Sequence, residues 1–448
     1  MPIQRPKSFL AFVFIWFGQV ISLIGTSLSA FALTIWAWEL TGSATALALV
    51  VFFNFGPTVI FSPIAGALVD RWDKKWVMMV SDLASGLATI LIFFLYTSGN
   101  LQIWHLYAAG AFSGLFQAFQ WPAYSTAITV MVPKAQYGRA AAMMSLADWG
   151  SGIFGPVLAG ALIGVIGIGN ILLIDITTFV VAILILLVSV IPKVPKSEEG
   201  LKNSGSIWQE SLFGFKYIWK RPSLLGLQIM FFAGNLMGSL TNTLIAPMIL
   251  GRTGNNAQLL GLVQSVGSAG GVVGALLISV WGGPKRRVNG VIFGWLFAGL
   301  LGQIFYGTNL GLPVWMAAAF IYNFFFPLLN SSNQAIWQSK VPPDLQGRVF
   351  SIRRLIAQIT VPIAMLAAGP LADFVFEPAL KNPLSNLSSA FGWLVGSGIG
   401  SGMALIVIFS GIGMASISLV AWLVPQIRNV DTILPDYDAE LKSGTESS

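Results

Sequence analysis

Three carboxylates stand inside long apolar runs of this sequence: Asp82, Asp148 and Asp175. An ionised group at bilayer depth costs roughly 3 kcal/mol or more unless it is paired or wetted, so each is a candidate for function. The chemistry open to them is proton carriage, a carboxyl taking a proton on one side and releasing it on the other. Asp148 lies about 10 Å in from one end of its run, and the Gly155-Pro156 pair follows. It is the first choice for a coupling acid; the alternative is a satisfied hydrogen bond between helices. Asp82 is close to a charged stretch at 70–75 and is read first as structural, then as a proton carrier. Asp175 is near the opposite end of its run and either caps, pairs or carries protons. His105, the one histidine, is a minor relay candidate. With no Cys and one His, the chain offers no thiolate metal site, cysteine nucleophile, His-ligated metal cluster or Ser-His-Asp triad. No G-x4-G-K-S/T phosphate loop is present, which argues against an ATP-driven pump. No cofactor, metal or enzyme activity is expected.

The elements that must hold these carboxylates follow from composition. The 448 residues are 55% hydrophobic and 9% charged, and mean hydropathy is +0.78. Soluble domains carry about 25% charged residues. A soluble enzyme, a disordered chain and a disulfide scaffold are excluded. Crossing about 30 Å of hydrocarbon at 1.5 Å per residue takes roughly 20 apolar residues. Twelve runs meet that length, near 9–38, 44–69, 76–98, 102–131, 141–166, 169–191, 223–250, 258–282, 288–308, 312–339, 348–376 and 397–424. The first lacks a small-residue cleavage site and is read as a span, not a signal peptide. The expected fold class is an all-α membrane protein with twelve transmembrane helices in two six-helix bundles.

Charge sets the expected topology. Of the 24 Lys and Arg, only Arg252 and Lys381 fall in loops on one side; the other 22 fall on the side of the termini. The positive-inside rule then places both termini in the cytoplasm. The net charge of +7 reads as topology and contact with anionic lipid, with no role for nucleic acid. The chain divides into a bundle over 1–191, a cytoplasmic linker over 192–222, a bundle over 223–424 and a loose polar tail over 425–448. Within the linker, Trp208, Leu212, Phe215 and Trp219 recur at helical spacing, with Lys216 and Lys220 elsewhere on the wheel. That predicts an amphipathic helix, lying in the membrane interface or packed on protein. The glycines at 392, 396, 398, 400 and 402 leave the start of the last span undefined.

The sequence also repeats. Val132-Pro133 with Gly138-Arg139 and Val341-Pro342 with Gly347-Arg348 share a V-P-x4-G-R pattern at an offset of 209 residues. Each copy links an even-numbered span to the next odd one. A same-direction repeat of six spans implies two halves with a central site.

The motifs carry a resemblance. Gly66-Ala-Leu-Val-Asp70-Arg71-Trp-Asp73-Lys74-Lys75 resembles the G-x-x-x-D-R-x-x-R/K-K signature of the major facilitator superfamily. Its glycine permits close helix approach, and its three cations are expected to stay in water at the lipid headgroups. Gly152-Ile-Phe-Gly155-Pro156-Val-Leu-Ala159-Gly160 resembles the antiporter motif of the same superfamily, a kinked helix with small residues for tight packing. Glu39-Leu-Thr-Gly42, Leu173-Ile-Asp175 and Tyr217-Ile-Trp-Lys-Arg221-Pro222 are similar to the branch of macrolide-efflux and enterobactin-type siderophore exporters. One departure is plain: 102–131 holds no Arg or Lys, where many drug:proton antiporters carry an Arg.

The resemblance implies a multi-pass plasma (inner) membrane exporter driven by protons, with a drug, macrolide or siderophore as small-molecule substrate. It also implies that the first, fourth, seventh and tenth spans line the cavity. There the sequence places Gln19, Ser22, Thr26, Gln117, Gln120, Asn235, Asn242, Asn323, Asn330, Ser331, Asn333 and Gln334, with Trp16, Phe116, Phe119, Trp121, Phe325 and Trp337 as candidate stacking walls. Neutral donors and acceptors suit a large polar ligand that is uncharged or mixed in charge. A nutrient importer on the same scaffold is the alternative; an intramembrane enzyme is a remote third. The bilayer is the expected environment and a monomer the expected state, since twelve spans form a pathway without a partner.

Overall fold

A computed structural model describes residues 9–132, 136–191 and 214–435. Trp208, Leu212 and the tail beyond 435 therefore lie outside the described residues. All the described elements are helical, and ten helices are long and apolar enough to cross a membrane. The chain forms two compact units, one of Met1–Asn203 with Ile249–Ser265, the other of Ser204–Met248 with Val266–Ser448.

The first unit begins with α1 (Phe9–Thr41), α2 (Ala44–Arg71), α3 (Lys74–Thr97) and α4 (Ile103–Met131). Local chemistry sets these boundaries. The Ser43 hydroxyl accepts from the Ala46 N–H at 3.2 Å to open α2. The Asp73 carboxylate accepts from the Lys75 N–H at 2.9 Å to open α3. His105 Nδ1 accepts from the Gln102 N–H at 2.9 Å at the start of α4, so the one histidine serves a turn. Next comes α5 (Tyr137–Val188), whose 52 residues would reach about 78 Å if straight. Gly167, at φ 74 and ψ 166, breaks it into two arms. Those dihedrals belong to a region open essentially to glycine alone.

Small residues let the helices of this unit close up. A Cβ on Gly114 would fall 2.0 Å from the Asn54 carbonyl oxygen, so α4 and α2 meet backbone to backbone. Thr58 of α2 donates to the Gly114 carbonyl at 2.8 Å across that contact. Gly18 and Gly25 of α1 admit Ile185 and Thr178 of α5, and Gly86 of α3 admits Phe179. Phe12, Ile15, Val69, Met78, Ala127 and Leu186 form the core at one end.

The second unit holds most of α6 (Pro222–Arg252) and of α7 (Ala257–Trp281), and α8 (Arg287–Phe297). A π-helical turn, Ala298–Gln303, extends α8. It continues with α9 (Leu312–Lys340), α10 (Pro343–Gln358), α11 (Thr360–Pro370) and α12 (Ser401–Leu423). Trp295, Tyr322 and Trp337 are almost wholly buried at its centre.

The start of the last span, undefined in the sequence, is set by a residue outside that region. Glu377 Oε1 accepts from the Gly402 N–H at 3.1 Å and the Met403 N–H at 3.4 Å. A carboxylate at a helix N-terminus satisfies open donors and meets the positive end of the dipole. The approach needs Gly402, because a Cβ there would lie 2.3 Å from the Glu377 nitrogen.

The expected loose tail is packed as far as 435. Val430 is fully buried, and Ile427 fits where Gly226 has no side chain. Lys340 Nζ donates to the carbonyls of Asp431, at 2.7 Å, and Leu434. The Asp431 carboxylate accepts from the Val288 N–H at 3.1 Å. The reason is the need of helix ends: this segment meets open groups of α8 and the lysine that ends α9.

Candidate functional site

The first unit gathers two polar knots around α1 and α3. In one, Asp82 of α3 accepts from Gln19 Nε2 of α1 at 3.0 Å and from Gln120 Nε2 of α4 at 2.8 Å. The two glutamines also meet, Gln120 Nε2 to Gln19 Oε1 at 3.5 Å. All three side chains are only partly buried. Gln120 Oε1 is itself shielded from solvent and has no hydrogen-bond partner. In the other knot, Asp175 of α5 is 3% exposed. It accepts from Thr26 of α1 at 3.2 Å and Thr89 of α3 at 3.3 Å. Ser29 stands beside it. Gly25 makes room, since a Cβ there would be 3.2 Å from Asp175 Oδ1.

The knots share two helices. Gln19 and Thr26 are seven residues apart on α1, and Asp82 and Thr89 seven apart on α3. Two helical turns are about 10 Å, so the carboxylates are stacked along one seam. Among the described residues, the hydrogen-bond partners of both are neutral. A carboxylate with neutral donors keeps its negative charge uncompensated, which leaves it open to a proton. The sequence reads Asp82 first as structural, close to the charged stretch at 70–75; among the described residues its partners are two amides. Asp148 lies in α5, but its side chain is outside those described.

The 66–75 stretch holds helix ends together. Lys74 is 6% exposed, with Nζ donating to the carbonyls of Val69 and Trp72 at the end of α2. Lys75 Nζ donates at 2.7 Å to the carbonyls of both Leu187 and Ser189 at the end of α5. The expectation that the cations here stay in water is thus corrected for Lys74, while Lys75 stays half-exposed as it reaches these carbonyls. Open carbonyls at a helix C-terminus, at the negative end of the dipole, attract an ammonium. The side chains of Asp70 and Arg71, and the surroundings of Gly66, lie outside those described.

The 152–160 stretch is a packing surface in the same unit. A Cβ on Gly155 would sit 2.0 Å from the Ser27 hydroxyl, and Ser27 donates to the Ser151 carbonyl at 3.2 Å. On another side, a Cβ on Gly160 would be 2.9 Å from the Ala257 carbonyl oxygen, and one on Gly261 2.3 Å from that of Pro156. Ser265 donates to the Ile153 carbonyl at 2.7 Å. Gly152 belongs to the same face of small residues.

Of the remaining polar candidates, Gln117, Asn242 and Asn330 are exposed, and Asn235 and Asn323 are partly buried. Asn323 donates back to the Ala319 carbonyl at 2.9 Å. Asn333 is 1% exposed and accepts from Trp337 Nε1 at 3.1 Å. Asn333 and Trp337 are thus buried inside the second unit, where Asn333 satisfies the Trp337 indole while its own Nδ2 has no partner among the described residues. Phe119 stacks on Trp72 at 6.0 Å between centroids. The side chain of Trp121 is outside those described.

Two polar residues escape sequence reasoning. Glu377 is one; its only signal was the missing N-cap before α12. The other is Gln303, fully buried at the end of the π-helical turn. Neither end of its amide closes a hydrogen bond of ordinary geometry, although the Tyr322 hydroxyl, which the Asn242 side chain also approaches, stands beside it. Departures from α-helical register often mark functional places.

Comparison with known proteins places these features in company. The profile of the Major Facilitator Superfamily matches residues 15–365. Macrolide efflux protein A of Streptococcus pyogenes is 25% identical over 375 residues, 81% of this chain and 90% of that protein. Multidrug efflux pump Tap of Mycolicibacterium fortuitum is 27% identical over 348 residues, 74% of this chain and 82% of the pump. Among solved structures, a POT family transporter in complex with 5-aminolevulinic acid superposes with a TM-score of 0.65 at 12% identity, covering 94% of this chain and 98% of the other. An inward-facing bacterial homologue of the lysosomal transporter Spinster gives 0.61 at 14% identity, covering 94% and 96%. These structural matches speak for the fold alone.

Proposed function

The chain belongs to the major facilitator superfamily, and from that membership we propose that it is a secondary active exporter of the plasma (inner) membrane, exchanging protons for an amphiphilic small molecule. The cargo is a drug, macrolide or siderophore, and transport proceeds by alternating access. Export is favoured by the relatives named for macrolide and multidrug efflux. The topology we adopt has twelve spans and cytoplasmic termini. The ten apolar helices support it once α4 is added and α5 is divided at Gly167, and so does the one-sided distribution of Lys and Arg.

The observation that carries proton coupling is the Asp82 knot. Charged Asp82 accepts from amides of α1 and α4 and so ties three helices. A proton converts one carboxyl oxygen into a donor. Gln120 Oε1, otherwise unpartnered, then becomes its acceptor once the amide turns. Loading a proton thus exchanges one set of ties for another, and that difference is what a coupled transporter needs. Asp175, further along the same seam, is the second carrier, and Asp148 a third candidate.

Inverted vesicles with an imposed pH gradient test this reading, with a macrolide and a fluorescent lipophilic dye as probes. Asp82→Asn keeps an amide-compatible shape, so the expected result is a folded protein whose transport no longer responds to the gradient. Asp175→Asn is expected to weaken the response. Full gradient-driven transport in Asp82→Asn removes that residue from coupling. Probe accumulation by whole cells, not depletion, would make the protein an importer.

A further inference from the structure

We propose that Phe215, Lys216, Trp219 and Lys220 form a docking face for the headgroup phosphates of anionic phospholipids. The argument starts from a short helix over 214–219 that uses its two sides differently. Gly214, Tyr217 and Ile218 are buried, and the last two join the core of the second unit. Phe215, Lys216, Trp219 and Lys220 are exposed and fall together on the opposite side. The apolar members are large, Phe215 at 49% and Trp219 at 64% exposed, with stacked rings 5.9 Å apart. Among the described residues, protein claims one face of this helix and leaves the aromatic face open.

Position and charge name the occupant. Arg221 is turned inward, its guanidinium 3.6 Å above the Tyr217 ring and donating to the Tyr217 carbonyl. The membrane-spanning α6 begins at the next residue, Pro222. The aromatic face is therefore within two helical turns of a bilayer entrance. At that level Trp favours the headgroup region, with its ring among acyl chains and its N–H in the polar layer. Lys216 and Lys220 are one turn apart on the same side and are free to reach phosphate oxygens. Two ammonium groups beside two aromatic rings complement a phosphate above a hydrocarbon tail, as in phosphatidylglycerol. This inference does not depend on cargo or direction of transport.

The test uses the full chain in phosphatidylcholine vesicles doped with a lipid brominated near the headgroup end of its acyl chains. Trp219 quenching is read as the difference between the wild type and Trp219→Phe. Brominated phosphatidylglycerol is expected to quench Trp219 more than brominated phosphatidylcholine at equal mole fraction. The Lys216→Gln and Lys220→Gln changes should each cut that preference about fivefold, which is ~1 kcal/mol per lysine. Equal quenching by both lipids, or a preference that survives both lysine changes, overturns the proposal. So does absence of quenching by either, which would mean that chain or partner protein covers the face. A preference abolished by glycerol 3-phosphate in solution would also overturn it, since the site would then take free phosphate esters.

Discussion

Asp82 is held by amides and Asp175 by hydroxyls, and the sequence presents both as lone acids in apolar runs. Their depth was legible because a charge among twenty apolar residues is conspicuous. Their partners were not, because the register between helices distant in the chain leaves no local mark. Gln303 illustrates the same limit with the opposite sign of cost. Its buried amide has donors and acceptors with no ordinary partner. Leaving such groups unmade costs about 1–3 kcal/mol. Gln303→Met keeps the length and removes both groups, so we expect it to raise the apparent Tm in detergent. A lower Tm would mean that the Tyr322 contact outweighs the desolvation. The placement of Lys74 was not readable either: an ammonium in water and one folded onto carbonyls have the same spacing.

At the scale of elements, glycine decides where helices turn and where they touch. Gly167 turns: at φ 74 and ψ 166 it separates the arms of α5, and a Cβ there would meet nothing within 4 Å. Gly167→Ala therefore isolates the backbone term, expected at about 1–3 kcal/mol of destabilisation. Gly164→Ala is the matched control, equally open in space but with no positive φ, and is expected to be neutral or mildly stabilising. Thermal unfolding in detergent compares the two; equal Tm values would refute the strain argument. The sequence separates the runs at 141–166 and 169–191 close to this turn, because glycine breaks the apolar helical signal. The glycine run before α12 misled in the other direction. Several positions there read alike, and only the distant Glu377 selects among them.

At the scale of the whole molecule, composition and hydrophobic length made the membrane class plain, while the motifs at 66–75 and 152–160 carried the resemblance to the family. Helix-end chemistry was hidden, because it joins residues far apart in the chain. The segment 425–434 is the clearest case, read from sequence as loose polar tail but seated on α6, α8 and α9 through Ile427, Asp431 and Lys340. Truncation after Val424 is expected to lower the Tm of the detergent-solubilised protein by several degrees, and truncation after Leu434 to leave it unchanged. Equal values would show that the segment contributes nothing. The seat also has a consequence in time. Residues 425–434 are made after α6, α8 and α9, so Lys340 waits for its carbonyls, and the Val288 amide for its acceptor, until that segment emerges.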